Sequence, residues 1–297
     1  MGKKLAFVGI GMIGAGLAVN AMLNGYETAL YDVVDATANV RDILDALVDI
    51  RVCTREEAGA AYARASYTSD LREAVTGAEF VQECIAENLE VKQAMYRSIQ
   101  EITGDAPVIA SSTSMLLPTK LQEGALYPER IVVGHPYNPS YLLPLVEICA
   151  GEQTSPAAVE AAKEIYTGMG KKPIVCRREV FGLIANMINW KLLEASKEAI
   201  FGGICTVEEL DQALMYGPGL RLAVTGQILT TSLGVKGGLR AMGAKYGKEN
   251  PDDLVLADGL DEELAHRTEK QGRDEAGILK FRDQMIADIL RGQGVLS

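Results

Sequence analysis

The sequence predicts an α/β fold: a doubly wound, mostly parallel sheet, followed by an all-α C-terminal domain. Three observations predict it. Over the first 180 residues short apolar runs alternate with helical stretches, the pattern of successive strand–helix–strand units. A glycine-rich turn joins the first apolar run to the first helical stretch. From Val180 onward strand-like runs cease and helical periodicity alone remains.

Lys4 to Val8 reads as the first strand. It runs into Gly9-Ile-Gly11-Met12-Ile13-Gly14-Ala-Gly16, then an apolar helical stretch, Leu17 to Leu23, that stops at Asn24-Gly25. Glu27 to Tyr31 is a second strand and ends at Asp32. Strand, GxGxxG, helix, strand and acid in this order form the dinucleotide fingerprint in its required context, so the fold is Rossmann-type. Gly9 permits the tight turn, Gly11 lets backbone approach a pyrophosphate, and Gly14 lets helix and strand pack closely. The phosphates lie over the helix N-terminus, where free N–H groups and the dipole favour negative charge. Gly9, Gly11, Met12, Ile13, Gly14 and Asp32 are therefore the expected cofactor set. Asp32 binds ribose hydroxyls and repels a 2′-phosphate, which selects NAD over NADP.

Residues 33 to 66 carry two helical patterns, about 36–50 and 55–65, with more acids than bases; they read as a solvated insert. Ala78 to Cys84 is a third central strand. Glu87 to Lys92 opens a helix that runs to about Ile102. Glu87 and Lys92 either face the nicotinamide end of the cofactor or are ordinary dipole and surface charges. Val108 to Ala110 is another strand, followed by Ser111-Ser-Thr-Ser114. Ligands collect at the carboxyl ends of strands in such sheets, so Ser111 and Ser114 are either substrate contacts or turn and cap residues before Pro118.

Ile131 to Val133 is a short buried strand, and Leu145 to Ile148 a second. Between them Gly134, Pro136, Pro139 and Pro144 hold His135 and Asn138 in extended or turn backbone. Only two histidines occur, His135 and His266. His135 with Glu147 in the next strand offers a base and a carboxylate that orients it; a structural histidine in a proline-rich connection is the alternative. Ser155 to Met169 is helical, with Ser155-Pro156 at its start. Pro173 to Cys176 is one more strand, at the sheet edge. A boundary near 177–181 divides a domain of residues 1–179 from a helical domain of residues 180–297. The latter holds helices at Phe181–Phe201, Val207–Tyr216 and Leu222–Leu233, and two more within 261–292. A helical domain over an α/β domain makes a cleft for substrate. Asn186 is one polar group among apolar neighbours in the boundary helix and must be paired if buried.

The net charge of −11 disfavours nucleic-acid binding, which needs clustered Lys and Arg. No apolar run approaches the length of a membrane span. The N-terminal apolar run is too short for a signal sequence, and a glycine turn follows it. Five cysteines form no CxxC pair and no metal-ligand spacing, which fits a reducing cytoplasm and no metal.

These motifs together resemble the 3-hydroxyacyl-CoA dehydrogenase family along most of the chain. The resemblance rests on the glycine turn with Asp32, Glu87 through Lys92, Ser111-Ser-Thr-Ser114, Gly134-His135-Pro-Tyr-Asn138-Pro with Glu147, and Gly182-Leu-Ile-Ala-Asn186. It implies that His135 takes the hydroxyl proton, Glu147 fixes its tautomer, Ser114 and Asn186 hold the substrate oxygen, and hydride passes to NAD. The run His-Pro-Tyr-Asn-Pro-Ser-Tyr-Leu-Leu-Pro-Leu-Val-Glu looks like the branch containing carnitine dehydrogenase, gulonate 3-dehydrogenase and lambda-crystallin. So do Gly217-Pro-Gly-Leu-Arg221 and the short acidic insert, which lacks the lysine that helps hold CoA in other members. Two departures stand: Met187 where the family usually has Arg, and Ser112 where it often has Asn.

The expectation is an NAD-dependent oxidation of the 3-hydroxyl of a small, carnitine- or gulonate-like acid. The alternatives are a short-chain 3-hydroxyacyl-CoA dehydrogenase and a crystallin-like protein that binds NAD without turnover. Arg221 either grips a substrate carboxylate bidentately or forms a helix-end salt bridge; Asn138 is a further substrate candidate. The apolar helical domain, like the resemblance, implies a homodimer.

Overall fold

The computed structural model describes residues 3–247 and 250–297. They form two compact units, Met1–Lys191 and Leu192–Ser297.

The first unit is built on an eight-stranded sheet. Its strands are β1 (Lys4–Val8), β2 (Glu27–Tyr31), β3 (Ala65–Thr68), β4 (Phe80–Glu83), β5 (Val108–Ser111), β6 (Ile131–Pro136), β7 (Leu145–Ala150) and β8 (Lys172–Cys176). They lie in the order β3-β2-β1-β4-β5-β6-β7-β8. Every neighbouring pair is parallel except β6–β7, where a short loop allows an antiparallel hairpin. Side chains on the central strands alternate between two cores. Leu5 and Phe7 of β1 enter one, with Val132 and Val146; Ala6 and Val8 enter the other, with Val81 and Val133. Both faces are covered, so the strands read as continuous apolar runs rather than an alternation.

The helices of this unit are α1 (Met12–Leu23), α2 (Thr37–Asp49), α3 (Arg55–Tyr62), α4 (Leu71–Val75), α5 (Leu89–Thr103), α6 (Pro118–Leu121) and α7 (Pro156–Gly168), with α8 (Leu183–Phe201) running across the division between the units. Their starts follow local chemistry. Thr54 and Glu57 make a reciprocal capping box on α3. Asn88 accepts from Val91 N–H at α5, and Ser155 with Pro156 opens α7.

Three differences from expectation have physical causes. The insert ends in β3, which pairs β2 in parallel; it is a half-exposed edge strand without a strong apolar pattern. Glu87 and Asn88 precede α5 rather than opening it, because Asn88 is its cap. The boundary expected at 179/180 falls at Lys191/Leu192, inside α8. The first turn of that helix is tied to the sheet unit: Leu183 is buried in its core, and Ile184 and Ala185 N–H donate to Glu147.

The second unit is helical throughout its described residues. It holds the end of α8, α9 (Val207–Tyr216), α10 (Pro218–Leu233), α11 (Met242–Tyr246), α12 (Pro251–His266) and α13 (Glu275–Gly292). Its core is Leu229, Leu239, Ala257, Leu260 and Ile278. α10 is broken at Gly226 (φ 69°), a conformation glycine supplies at least cost. α12 starts earlier than the helix expected after 261, because Asn250 caps it and Pro251 fills its first position.

Candidate active site

β1 ends in the glycine turn. Gly9 has φ +91°, and a Cβ there would stand 2.8 Å from the carbonyl of Cys84. A Cβ on Gly14 would stand 1.9 Å from Gly9 O, so α1 can lie this close to β1 only with glycine at that position. Gly11 differs: a Cβ there meets nothing within 4 Å. Packing thus fixes Gly9 and Gly14, whereas Gly11 keeps its side open for a ligand. No side chain caps α1 and no acid lies in its first turn, which leaves its amides to an anion. Met12 is exposed beside this opening. Asp32, at the end of β2, accepts from Ile10 N–H at 2.9 Å through Oδ2; among the described residues Oδ1 takes no hydrogen bond, the disposition that a ribose-binding acid needs. The residues present fit a dinucleotide.

At the ends of β4 and β5 two carboxylates organise the serine-rich run. Glu83 is fully buried and accepts from Lys92 Nζ (2.6 Å), Ser111 Oγ (2.7 Å), Ile85 N–H (2.7 Å) and Tyr96 Oη. Glu87 accepts from Thr113 Oγ1 and from the N–H groups of Ser114 (3.3 Å) and Met115 (3.2 Å). Two expectations are corrected here. Lys92 does not present its ammonium to the nicotinamide; it is fully buried between Glu83, Glu87 (3.6 Å) and Ile85 O. Ser111 is not a substrate contact, because its hydroxyl is spent on Glu83 in the core. Burial alternates along the extended run, with Ser111 and Thr113 inward and Ser112 and Ser114 outward. Ser112 therefore joins Ser114 at the site.

His135 stands directly opposite Glu147 in the β6–β7 hairpin. Its Nδ1–H donates to Glu147 Oε2 at 3.3 Å. The other carboxylate oxygen, Oε1, accepts from Ile184 N–H (2.9 Å) and Ala185 N–H (3.0 Å) at the start of α8. Glu147 is fully buried, yet a helix N-terminus and an imidazole supply its donors. A neutral imidazole that donates from Nδ1 keeps its lone pair on Nε2. One hollow of about 400 Å³ brings together Ile13 of α1, Ser112, Ser114, His135, Pro136, Tyr137, Asn138 and Asn186. The hollow thus brings Ile13, Ser114, His135, Asn138 and Asn186 together, with Pro136 and Tyr137 beside the histidine. All eight belong to the sheet unit. Arg221 lines a different hollow, with Pro218, Gln227 and Thr230, in the helical unit. No cluster of three metal-ligating side chains occurs among the described residues.

Residues 4–180 match the family described as 3-hydroxyacyl-CoA dehydrogenase, NAD binding domain. The chain is 37% identical to the L-carnitine dehydrogenase of Streptomyces griseus subsp. griseus, with 99% of this chain and 91% of that protein covered. It is 33% identical to the L-carnitine dehydrogenase of Pseudomonas putida, with 97% and 93% covered. Among solved structures, 5-formyl-3-hydroxy-2-methylpyridine 4-carboxylic acid 5-dehydrogenase, an NAD-dependent dismutase, superposes with a TM-score of 0.73 at 26% identity over 99% of both chains. The 3-hydroxybutyryl-CoA dehydrogenase of Escherichia coli superposes with a TM-score of 0.68 at 25% identity, covering 87% of this chain and 57% of that one. The chain accordingly belongs to the 3-hydroxyacyl-CoA dehydrogenase family, on its L-carnitine dehydrogenase branch, and is an NAD-dependent dehydrogenase.

Proposed function

We propose that the protein oxidises the 3-hydroxyl of a small carnitine- or gulonate-like acid to the ketone. The observation that carries this reading is the His135–Glu147 pair, set in one hollow with Ile13 of the cofactor helix, Ser114 and Asn186. Gly9, Gly11, Met12, Ile13, Gly14 and Asp32 hold NAD, with Glu87 at its nicotinamide end. Bound NAD supplies a hydride acceptor. His135 Nε2 takes the hydroxyl proton, and Glu147 holds the ring in the tautomer that can accept it and stabilises the imidazolium that results. Ser114 and Asn186 donate to the substrate oxygen as it gains carbonyl character.

Relatives named for L-carnitine across nearly the full chain favour a free acid over a CoA thioester. We expect NADH production from L-carnitine or a related free 3-hydroxy acid, and no more than trace turnover of acetoacetyl-CoA in reverse. A preference for the thioester selects the 3-hydroxybutyryl-CoA reading instead. No NADH from any member of a broad hydroxy-acid panel selects the non-catalytic, crystallin-like reading.

The protein is proposed to act as a homodimer through its helical unit. α9 has no buried residue; its first residue, Val207, is exposed, as are Phe201 and Ile204 before it, an apolar surface that a second copy would cover. Five free cysteines fit a cytoplasmic setting. No helix is long and apolar enough to cross a membrane among the described residues.

A further inference from the structure

The loop that joins β6 to β7, residues 137–144, carries Tyr137 and Asn138 into the hollow beside His135. Lys171, between α7 and β8, is buried beneath it at 4% exposure. Its Nζ donates to Ser140 O and to Leu143 O, the latter at 3.1 Å. Among the described residues burial is the cause that pushes its pKa down, to about 8. An amino group in a dry site with no carboxylate partner is costly. The compensation here is that it satisfies two loop carbonyls at once, one of them on the buried Ser140.

The same loop is fastened to the cofactor helix. Ser140 Oγ donates to Ile13 O (3.2 Å), and Asn20 Nδ2 donates to Tyr141 O (3.1 Å). Gly16 makes room, since a Cβ there would stand 2.2 Å from Ser140 Oγ. Ser140 N–H in turn donates to Asn138 Oδ1 (3.2 Å). One residue, Ser140, thereby links Lys171, α1 and a wall of the hollow.

We propose that Lys171 is a positioning residue: its amino group clasps the backbone at Ser140 and Leu143 and so holds Tyr137 and Asn138 in register with the cofactor helix. This rests on the reading that a hydroxy acid reacts in the His135 hollow. His135 itself is held by β6 and Glu147, so loss of the clasp acts on substrate placement more than on the base. In the full-length Lys171→Met variant kcat/KM for the hydroxy acid falls roughly 100-fold, mostly through KM, with NAD affinity kept. The amides of Leu142 and Leu143, which donate to Pro139 O, lose hydrogen-exchange protection, whereas those of Val133 and Cys149 in the paired strands keep theirs.

Wild-type protein gives a second test that no folding defect can obscure. Lys171 holds its proton less tightly under the loop than in water, so opening the loop takes up a proton between about pH 8 and the ordinary lysine range. Closure therefore tightens as pH rises: protection at Leu142 and Leu143, corrected for intrinsic exchange, increases by up to about tenfold per pH unit across that window. Unchanged KM and unchanged amide protection in a folded Lys171→Met overturn the proposal. If wild-type protein oxidises no hydroxy acid, the function proposed above fails, and the exchange measurements still decide the role of Lys171.

Discussion

Replacing His135 by glutamine lowers kcat by roughly 10²- to 10⁴-fold and leaves NAD affinity unchanged. Glutamine approximates the size of imidazole and can still reach Glu147 from β6, so the hairpin and both cores stay intact. What it lacks is a nitrogen that can take a proton near neutral pH. The cofactor set is untouched, because the glycine turn and Asp32 are built by β1, α1 and β2 alone. NADH formation at saturating hydroxy acid, together with an NAD titration followed by protein fluorescence, checks both halves. Near-normal turnover in this variant removes His135 from the chemistry.

Glu147→Gln gives the second large effect and separates two roles of one carboxylate. Glu147 accepts on both oxygens, from His135 on one side and from Ile184 and Ala185 N–H on the other. An amide has one acceptor oxygen. If that oxygen serves the α8 amides, the amide NH₂ faces His135 and forces the tautomer whose Nε2 already carries a proton. If it serves His135, two helix N–H groups are left facing a donor. The first arrangement costs up to roughly 10⁴-fold in kcat, the scale of the same exchange in a Ser-His-Asp triad. The second costs about 1–3 kcal/mol of stability. We expect a kcat loss beyond 100-fold with a lowered denaturant midpoint. A lowered midpoint with normal kcat reduces Glu147 to a helix anchor.

Much of the site was legible because its parts are local or set by rigid turns. The glycine turn needs a strand before it and a helix after it, and both show in twenty residues. His135 and Glu147 were legible as a pair because prolines keep the intervening loop out of helix, and a short loop between two apolar strands can close a hairpin. The parts that failed depend on distant partners. Nothing local reveals that Lys92, in the first turn of a helix, points down onto Glu83, or that Ser111 and Ser112, adjacent and identical, face opposite ways. That alternation follows once the run is known to continue β5. The domain boundary moved because the start of α8 is tied to a residue 37 positions earlier. Nothing local marks Lys171 as buried; only the hairpin laid over it makes it so.

A crystal structure with NAD and a substrate-like ketone or hydroxy acid tests the central claim most directly. The nicotinamide is expected in the hollow beside Ile13 and Ser114. The substrate oxygen is expected about 2.6–3.2 Å from His135 Nε2, with the carbinol carbon about 3–3.5 Å from the nicotinamide carbon that receives hydride. A nicotinamide outside that hollow, or a substrate oxygen turned away from His135, contradicts it.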